Sequence, residues 1–327
     1  MAIVAAPTRH AILCYEEQDR PVGLSLQMYG EWAEEELYLL SFFLHPGAVV
    51  VDVGANIGTH ALAFSRFVTS EGRVIAIEPQ ERVFDLLAAK VLLNGLQHVT
   101  CIRALAGQET EMRFLPATER ASGTSASVSF VNIDTAKATG TQCGLLVPLQ
   151  LLKLDDLALA GCDLIKVDVE GMELDVLLGA GNTLRNFRPI VYFEQTSRHR
   201  FAETSALFQA LDYLLFWHAA DPFNRENFRG AQRNIFGGTR EINVLALPRE
   251  QEDQWRDQTS QLKQVRSPEY DAPPRLGPVS GWALPPTAYA TLPSNHGNSL
   301  VDSLAQHLRN SAATNQPAAA PNTRPSP

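Results

Sequence analysis

The chain has 327 residues, 45% of them hydrophobic and 19% charged, with a formal net charge of −9. This composition is typical of a globular protein with a substantial core, and the negative charge argues against non-specific binding to nucleic acid or an anionic membrane. The four cysteines are widely spaced, without a CxxC or CxxH cluster, which favours reduced thiols over disulfides or a zinc site.

The N-terminal residues and the lengths of the apolar runs bear on targeting and membrane insertion. The first ten residues lack a charged segment followed by an apolar one, so we expect no signal peptide. No apolar run reaches the roughly 18 residues of a membrane-spanning helix, so we expect no membrane partner. Together with the cysteine pattern, these features predict a cytoplasmic protein.

Strands and helices alternate along the middle of the chain, after an N-terminal segment, residues 1–45, of weak strands and one helix. The predicted elements of that segment are strands at Ala11–Tyr15 and Gly23–Tyr29 and an amphipathic helix at Glu31–Leu44. Five core strands are predicted at Val49–Val53, Arg73–Ile77, Val99–Ala104, Leu164–Val169 and Pro189–Phe193. Helices are predicted at Thr59–Phe67, Glu81–Asn94, Met172–Phe187 and Ser205–Leu211. This alternation predicts βαβ units and an α/β fold with a doubly wound, mostly parallel sheet.

Two further strands, Tyr213–Trp217 and Ile242–Leu247, have no helix between them and should form an antiparallel pair at one edge. The connection 218–240 is too long for a hairpin turn, and its phenylalanines favour a folded lid. Residues 46–250 are therefore the predicted catalytic domain. Eleven of the 20 prolines lie between Pro268 and Pro327, so residues 251–327 are predicted to be a largely disordered extension.

The region 108–150 is rich in serine, threonine and glycine, with strand-like pieces at Met112–Leu115 and Val128–Val131. Its Ser122–Ser125 segment would border a cleft at the end of the sheet, although ordinary loop chemistry explains these residues equally well.

The strongest functional signal is the loop Asp52–Gly58, which follows a buried strand and precedes a helix beginning at Thr59. Gly54 and Gly58 permit a positive φ or a close approach of the backbone. The free N–H groups of the helix N-terminus point back at the loop and attract carboxylates and phosphates. The segment predicts a nucleotide-type ligand.

Two ligand classes compete for this loop. A dinucleotide site of an NAD(P)-dependent oxidoreductase needs the motif G-x-G-x-x-G. In this sequence Asn56 occupies the position of the middle glycine. Asp52 is poorly suited to two phosphates, whereas it suits the amino or carboxypropyl region of S-adenosylmethionine. Glu78, twenty residues beyond Gly58, would accept hydrogen bonds from ribose hydroxyls in either case.

The combination of motifs resembles the FkbM-type family of S-adenosylmethionine-dependent methyltransferases over residues 25–248. The matching blocks are Val51–Gly58, Val74–Pro79, Leu164–Glu173, Gly30–Trp32, Leu178–Ala180 and Asn234–Gly238. The resemblance implies a class I methyltransferase fold with seven strands, the last antiparallel, and O-methylation of a small molecule such as a sugar. The expected cofactor contacts are Asp52, Gly54, Asn56, Gly58, Glu78 and Pro79.

The acceptor side is predicted at the end of the fourth core strand. Alternation places Lys166, Asp168 and Glu170 on one face, and ligands of open α/β sheets bind beyond the carboxyl ends of the strands. Methyl transfer needs an oriented acceptor oxygen and a group that removes its proton. Asp168 is the first candidate and Glu170 the second, although either acid could simply cap the following helix.

Other candidate groups have equally plausible structural roles. His218 could act as a base because its pKa lies near neutrality, or it could be a packing residue. Glu194 could contact the substrate or be a solvated acid. A divalent metal held by Asp168, Glu170 and Glu194 is chemically possible, but we assign no metal. A non-catalytic methyltransferase-like module that recruits partners through its tail is the third functional alternative.

Overall fold

The structure is a computed structural model that describes residues 2–116, 146–195 and 198–265. The predicted strand Val128–Val131, the segment Ser122–Ser125 and the proline-rich tail beyond residue 265 lie outside the described residues. Within the described ranges, no helix combines the length and the apolar character needed to cross a membrane.

A mixed sheet of eight strands forms the centre of the described part of the chain. These strands, in chain order, are β3 (Val49–Val53), β4 (Arg73–Ile77), β5 (Val99–Ile102), β9 (Leu164–Val167), β10 (Ile190–Glu194), β11 (Tyr213–Ala220), β12 (Glu241–Pro248) and β13 (Lys263–Gln264). Their order across the sheet is β13-β11-β12-β10-β9-β3-β4-β5. The five strands from β10 to β5 are parallel, whereas β12 is antiparallel to both β10 and β11.

The prediction of a mostly parallel sheet with an antiparallel late strand is confirmed, but the predicted number of seven strands is wrong. The eighth strand, β13, pairs its two residues with Phe216 and Trp217 of β11. A two-residue edge strand has no periodicity, so the sequence pattern could not indicate it. Residues 249–265 thus follow β12 back to the edge of the sheet, inside the segment assigned to the extension.

Two smaller sheets and eight helices complete the described structure. The smaller sheets contain β1 (Ile3–Pro7), β2 (Ile12–Glu16), β6 (Leu105–Ala106), β7 (Glu111–Pro116) and β8 (Leu146–Leu152). The helices are α1 (Val22–Tyr29), α2 (Glu34–Ser41), α3 (Thr59–Val68), α4 (Glu81–Leu93), α5 (Glu173–Leu178), α6 (Gly181–Phe187), α7 (Arg198–Ala210) and α8 (Arg256–Thr259). Short 3₁₀ turns lie at Leu154–Leu157 and Arg249–Gln251.

Two helical segments differ from the sequence predictions. The segment predicted as a strand at Gly23–Tyr29 belongs to α1, which buries Val22, Leu26 and Tyr29 at helical spacing. Over seven residues, alternation and a 3.6-residue period cannot be separated. The single helix predicted at Met172–Phe187 is divided into α5 and α6 around Gly179, where a Cβ atom would lie 2.0 Å from the carbonyl oxygen of Gly107.

The central strands are buried on both faces, which explains their continuous apolar sequences. Val50 and Val74 pack on one face with the residues of α3 and α4, while Val51 and Ile75 pack on the other with those of α5 to α7. This two-sided core fixes the strand ends at which the polar residues collect.

The ends of β3 and β9 approach each other closely at Gly54. Gly54 has a φ of 75°, and a Cβ atom there would lie 1.9 Å from the carbonyl oxygen of Asp168. Its N–H donates to the carbonyl of Ile77 in β4 at 2.9 Å. The glycine is therefore needed because two neighbouring strand ends leave no space for a side chain.

The connection between β11 and β12, which we call the connecting loop (residues 221–240), is folded against the N-terminal segment. Glu31 lies between α1 and α2, and its carboxylate accepts hydrogen bonds from the Phe228 N–H at 2.7 Å and the Asn224 side chain at 2.9 Å. The same carboxylate accepts from Arg9 at 2.7 Å. A buried carboxylate thus ties the loop to two distant parts of the chain.

Aromatic contacts strengthen this attachment. The Tyr29 hydroxyl donates to the Arg233 carbonyl at 2.7 Å and accepts from the Ile235 N–H at 2.8 Å. The Tyr29 ring lies 5.2 Å from that of Phe223 and 5.9 Å from that of Phe236. The folded loop therefore forms one wall together with α1 and the start of α2.

Because the two strand ends approach closely at Gly54, the addition of one methyl group there should greatly reduce the stability of the fold. Gly54→Ala should destabilise the protein by roughly 2–5 kcal/mol, because backbone strain adds to a clash with a backbone oxygen. Gly95→Ala is the matched control, since Gly95 has a φ of 65° but no atom within 4 Å of its would-be Cβ. It should cost about 1–2 kcal/mol, the strain alone. Denaturant unfolding followed by circular dichroism measures both values, and equal losses would contradict the packing argument.

Removal of the Glu31 charge should loosen the connecting loop. In Glu31→Gln the loop loses charge-assisted hydrogen bonds worth about 1.5–3 kcal/mol each, so its amides should exchange roughly 10-fold faster or more. Hydrogen–deuterium exchange with mass spectrometry on peptides from residues 221–240 measures this change. The control is Glu226→Gln, because Glu226 is exposed and contacts Arg9 and Asn224 through its backbone. Unchanged exchange in Glu31→Gln would show that the carboxylate does not hold the loop.

Candidate functional site

A cluster of polar residues lies at the carboxyl ends of the parallel strands. Asp52 on β3 and Lys166 on β9 are directly opposite each other in the parallel register. The Lys166 Nζ lies 3.8 Å from Asp52 Oδ1, and both side chains are buried, with 3% and 0% exposure respectively. Among the described residues, no side chain donates a hydrogen bond to the Asp52 carboxylate, and burial raises its pKa. A buried carboxylate with so few donors is costly, so a ligand that supplied donors here would stabilise the protein.

Lys166 also contacts the predicted acceptor-side residue. Its Nζ donates to Asp168 Oδ2 at 3.1 Å. Burial opposes the charge on Lys166, but the neighbouring acids Asp168, Asp52 and Glu36 outweigh burial and raise the pKa of the lysine. The surrounding protein likewise opposes ionisation of Asp168, yet Lys166 outweighs it and lowers the pKa of that carboxyl. The side chain of Asp168 is 46% exposed, so an ionised carboxylate is accessible at the end of β9.

The predicted cofactor loop is held by Glu78 at the end of β4. Glu78 accepts hydrogen bonds from the Asn56 N–H at 3.0 Å and the Gln80 N–H at 2.9 Å. Burial raises the pKa of Glu78 to about 7, against the effect of these two bonds. A carboxylate has about four acceptor positions, so these two bonds leave capacity for a ligand hydroxyl. The half-buried Pro79 follows directly.

The glycines of the loop have packing roles beside the predicted ligand role. Gly58 has a φ of 88° and begins α3, and a Cβ atom there would lie 2.6 Å from the side chain of Leu87. Asn56 takes a φ of 49°, a conformation that asparagine tolerates better than most residues. The buried side chain of Lys90 donates to the Ile57 carbonyl. The loop shape is therefore set by its own packing before any ligand binds.

Four further polar groups at this edge of the sheet were not predicted from the sequence: Glu36, His60, Glu241 and Asn243. Glu36 Oε1 accepts from the Asn243 side chain at 2.9 Å, and Glu36 Oε2 lies 3.2 Å from His60 Nε2. Burial, and after it the nearby Glu36 carboxylate, raises the pKa of Glu241 to about 9. Because β12 is antiparallel, its first residue lies at the edge where β9 and β10 end.

The signal for Glu36 in the sequence was ambiguous. Glu34–Glu36 lie within the amphipathic helix predicted at Glu31–Leu44, where charged residues are expected off the buried face. In the structure Glu34 and Glu36 are buried, and all three acids lie in the first turn of α2. Acids are common in a first helical turn because of the helix dipole, so the run alone did not indicate a site.

Two of the predicted catalytic residues lie elsewhere than expected. His218 is inside β11 and does not open the connecting loop; it is buried and bonded to the Tyr192 hydroxyl at 2.7 Å. Burial lowers the pKa of His218 to about 4. The strand β9 ends at Val167, so alternation no longer applies at Glu170, which is exposed in the following turn.

Glu194 is the second carboxyl at this edge. Burial, together with the nearby acids Asp168 and Glu170, raises its pKa to about 9. The possible metal ligands Asp168, Glu170 and Glu194 do not form such a site: among the residues that the structure describes, no group of three or more histidine, cysteine or acidic side chains is arranged to hold a metal ion.

Comparison with solved structures gives distant matches. The methyltransferase FkbM from Methylobacillus flagellatus KT is 18% identical with a TM-score of 0.41, over 62% of this chain and 44% of that one, so the match spans less than half of that protein. M. jannaschii TYW2, solved in complex with AdoMet, is 13% identical with a TM-score of 0.42, over 75% and 85% of the two chains. A SAM-dependent O-methyltransferase from Thermotoga maritima is 15% identical with a TM-score of 0.36, over 65% and 64%.

Comparison of the sequence with protein families gives a direct assignment. No curated protein matches the sequence. The methyltransferase FkbM domain matches residues 52–221, from the buried aspartate of β3 to the first residue of the connecting loop, which is 170 of 327 residues. The match covers more than half of the chain, and the protein belongs to the FkbM methyltransferase family.

Proposed function

We propose that the protein is an S-adenosylmethionine-dependent O-methyltransferase that acts on a hydroxyl group of a small molecule or sugar. The observation that carries this proposal is the buried carboxylate of Asp52, 3.8 Å from Lys166 and beside the loop Gly54–Gly58.

The residues of the loop fit S-adenosylmethionine. Its ammonium group would add hydrogen-bond donors to the buried Asp52 carboxyl, whereas a pyrophosphate would place further negative charge beside it. Glu78 has acceptor capacity for ribose hydroxyls, beyond the two N–H groups that it already binds. These two acids, on neighbouring parallel strands, support a cationic nucleoside over a dinucleotide.

The acceptor side is supported by the charge arrangement around Asp168. When bound, S-adenosylmethionine supplies a methyl group already activated by its positive sulfur. Lys166 keeps Asp168 ionised, so Asp168 can hold the acceptor by accepting a hydrogen bond from one of its hydroxyl groups. The connecting loop begins and ends at this edge, since Asp221 N–H donates to Glu35 at 2.6 Å and Glu241 follows its last residue.

Calorimetric titration with S-adenosylmethionine, S-adenosylhomocysteine and NAD tests the cofactor assignment. We expect the first two to bind and NAD not to bind. Asp52→Asn and Glu78→Gln should each weaken binding about 10-fold or more, equivalent to about 1.4 kcal/mol, because each loses a charged partner of the ligand. Glu71→Gln, in an exposed turn, is the control and should bind as the wild type does. Preferential binding of NAD would contradict the proposal.

If Asp168 orients the acceptor, Asp168→Asn should reduce methyl transfer without weakening the binding of S-adenosylhomocysteine. Transfer of labelled methyl groups to a panel of sugars and hydroxylated small molecules should fall about 100-fold or more, because the acceptor loses its orienting carboxylate. Affinity for S-adenosylhomocysteine should stay within about 3-fold of the wild type, a difference of under about 1 kcal/mol. The exposed Glu109→Gln serves as control. Near wild-type turnover in Asp168→Asn would remove Asp168 from the mechanism.

A further inference from the structure

Lys90 on α4 has a completely buried side chain, with 0% exposure. Its Nζ donates a hydrogen bond to the backbone carbonyl of Ile57, in the loop Gly54–Gly58. Among the residues that the structure describes, no carboxylate lies within ion-pair distance of this ammonium, whereas the buried Lys166 has two acids beside it. A buried ammonium without a paired acid costs folding free energy. The stability of the core alone therefore does not explain why a lysine occupies this position.

The surroundings of Lys90 show the same cost. Burial lowers the pKa of Lys90 to about 7, although the nearby Cys14 of β2 and Asp19 partly offset this effect. Cys14 is itself buried, and burial raises the pKa of its thiol. Asp19 accepts a hydrogen bond from the Gly23 N–H at 2.8 Å. An apolar side chain of similar length would fill the same space without the cost of burying a charge.

The hydrogen bond of Lys90 fixes one peptide group of the loop. The first helical bond of α3 runs from the Leu62 N–H to the Gly58 carbonyl at 3.0 Å, so the Ile57 carbonyl precedes the hydrogen-bond ladder of the helix. Lys90 supplies the donor that this buried carbonyl needs. In the same peptide group, the Gly58 N–H donates to the Ala55 carbonyl at 2.8 Å. Both polar groups of the Ile57–Gly58 peptide are therefore held.

Glu78 and Lys90 hold the loop from the end of β4 and from the helix that follows it. Glu78 accepts from the Asn56 N–H at 3.0 Å, while Lys90 donates to the carbonyl of the next residue. The helix is anchored in turn, because the Asn94 side chain accepts from the Ile12 N–H at 3.0 Å and donates to the Ile12 carbonyl at 2.9 Å. Lys90 thus fixes the part of the loop that lies beside the proposed ribose-binding acid.

We propose that Lys90 is a positioning residue of the cofactor site, which holds the Ile57–Gly58 peptide in the conformation that binds S-adenosylmethionine. The proposal rests on the proposed function, since it concerns the same site. Lys90 acts through the backbone of Ile57 and does not touch the ligand. Its effect on affinity is preorganisation: the loop is ordered when the protein folds, so little ordering cost remains when the ligand binds.

Lys90→Met and Lys90→Gln test this role as a matched pair, because the two side chains have equal length and only glutamine has an N–H donor. In Lys90→Met, calorimetric titration of the full chain should show about 10-fold weaker binding of S-adenosylhomocysteine or more. Hydrogen–deuterium exchange of the free protein, on peptides from residues 52–60, should be roughly 10-fold faster or more. In Lys90→Gln both quantities should stay within about 3-fold of the wild type.

Denaturant unfolding separates a positioning role from a purely structural one. The midpoint of unfolding of Lys90→Met should equal or exceed that of the wild type, because the removal of a buried charge offsets the lost hydrogen bond. Asn94→Ala is the control on the same helix, since Asn94 holds Ile12 and not the loop. It should lower the midpoint but leave the affinity for S-adenosylhomocysteine within about 3-fold of the wild type.

The possible results separate this proposal from the one on which it rests. If S-adenosylhomocysteine does not bind the wild type, the proposed function fails, and the cofactor role of Lys90 fails with it. If the wild type and Lys90→Met bind equally well, only the role of Lys90 is wrong. Equal losses in the methionine and glutamine variants, or a loss of stability parallel to the loss of affinity, would also overturn it. Lys90→Leu, which likewise lacks a donor, replaces Lys90→Met if that variant does not fold.

Discussion

The ion pair between Asp52 and Lys166 is the interaction on which the site depends. It exists because β3 and β9 run parallel with these residues in register, and because Gly54 lets the ends of the two strands meet. Lys166 then reaches Asp168 as well, so one buried ammonium joins the predicted cofactor side to the predicted acceptor side. Removal of either Asp52 or Lys166 would leave the other charge buried and uncompensated, which typically costs about 3–5 kcal/mol of folding stability.

Acids outnumber the single ammonium of Lys166 at this edge of the sheet. Asp168, Asp52 and Glu36 all act on Lys166, and Asp168 also acts on Glu194 and Glu241. Such an arrangement is poorly suited to phosphates and well suited to the cationic ligand that we propose.

The second organising feature is the attachment of the connecting loop to the N-terminal segment. Tyr29 donates a hydrogen bond to the loop, Glu31 and Glu35 accept hydrogen bonds from it, and Glu36, one residue further, accepts one from Asn243 of β12. The residues that hold the loop and the residue that faces the strand ends thus belong to one short stretch of chain. The N-terminal segment, which carries no nucleotide motif, is part of the same wall.

The sequence by itself determined the features that local patterns encode: the βαβ alternation, the strand Val49–Val53, the glycine loop and the acids at the ends of β4 and β9. These depend on periodicity and on residues close together in the chain. It did not indicate β13, the position of His218 inside a strand, or the hydrogen bond between Glu36 and Asn243. Glu36 and Asn243 are 207 positions apart. Only the tertiary structure decided their contact, because an antiparallel strand inserted between two others brings its first residues to the edge where the parallel strands end.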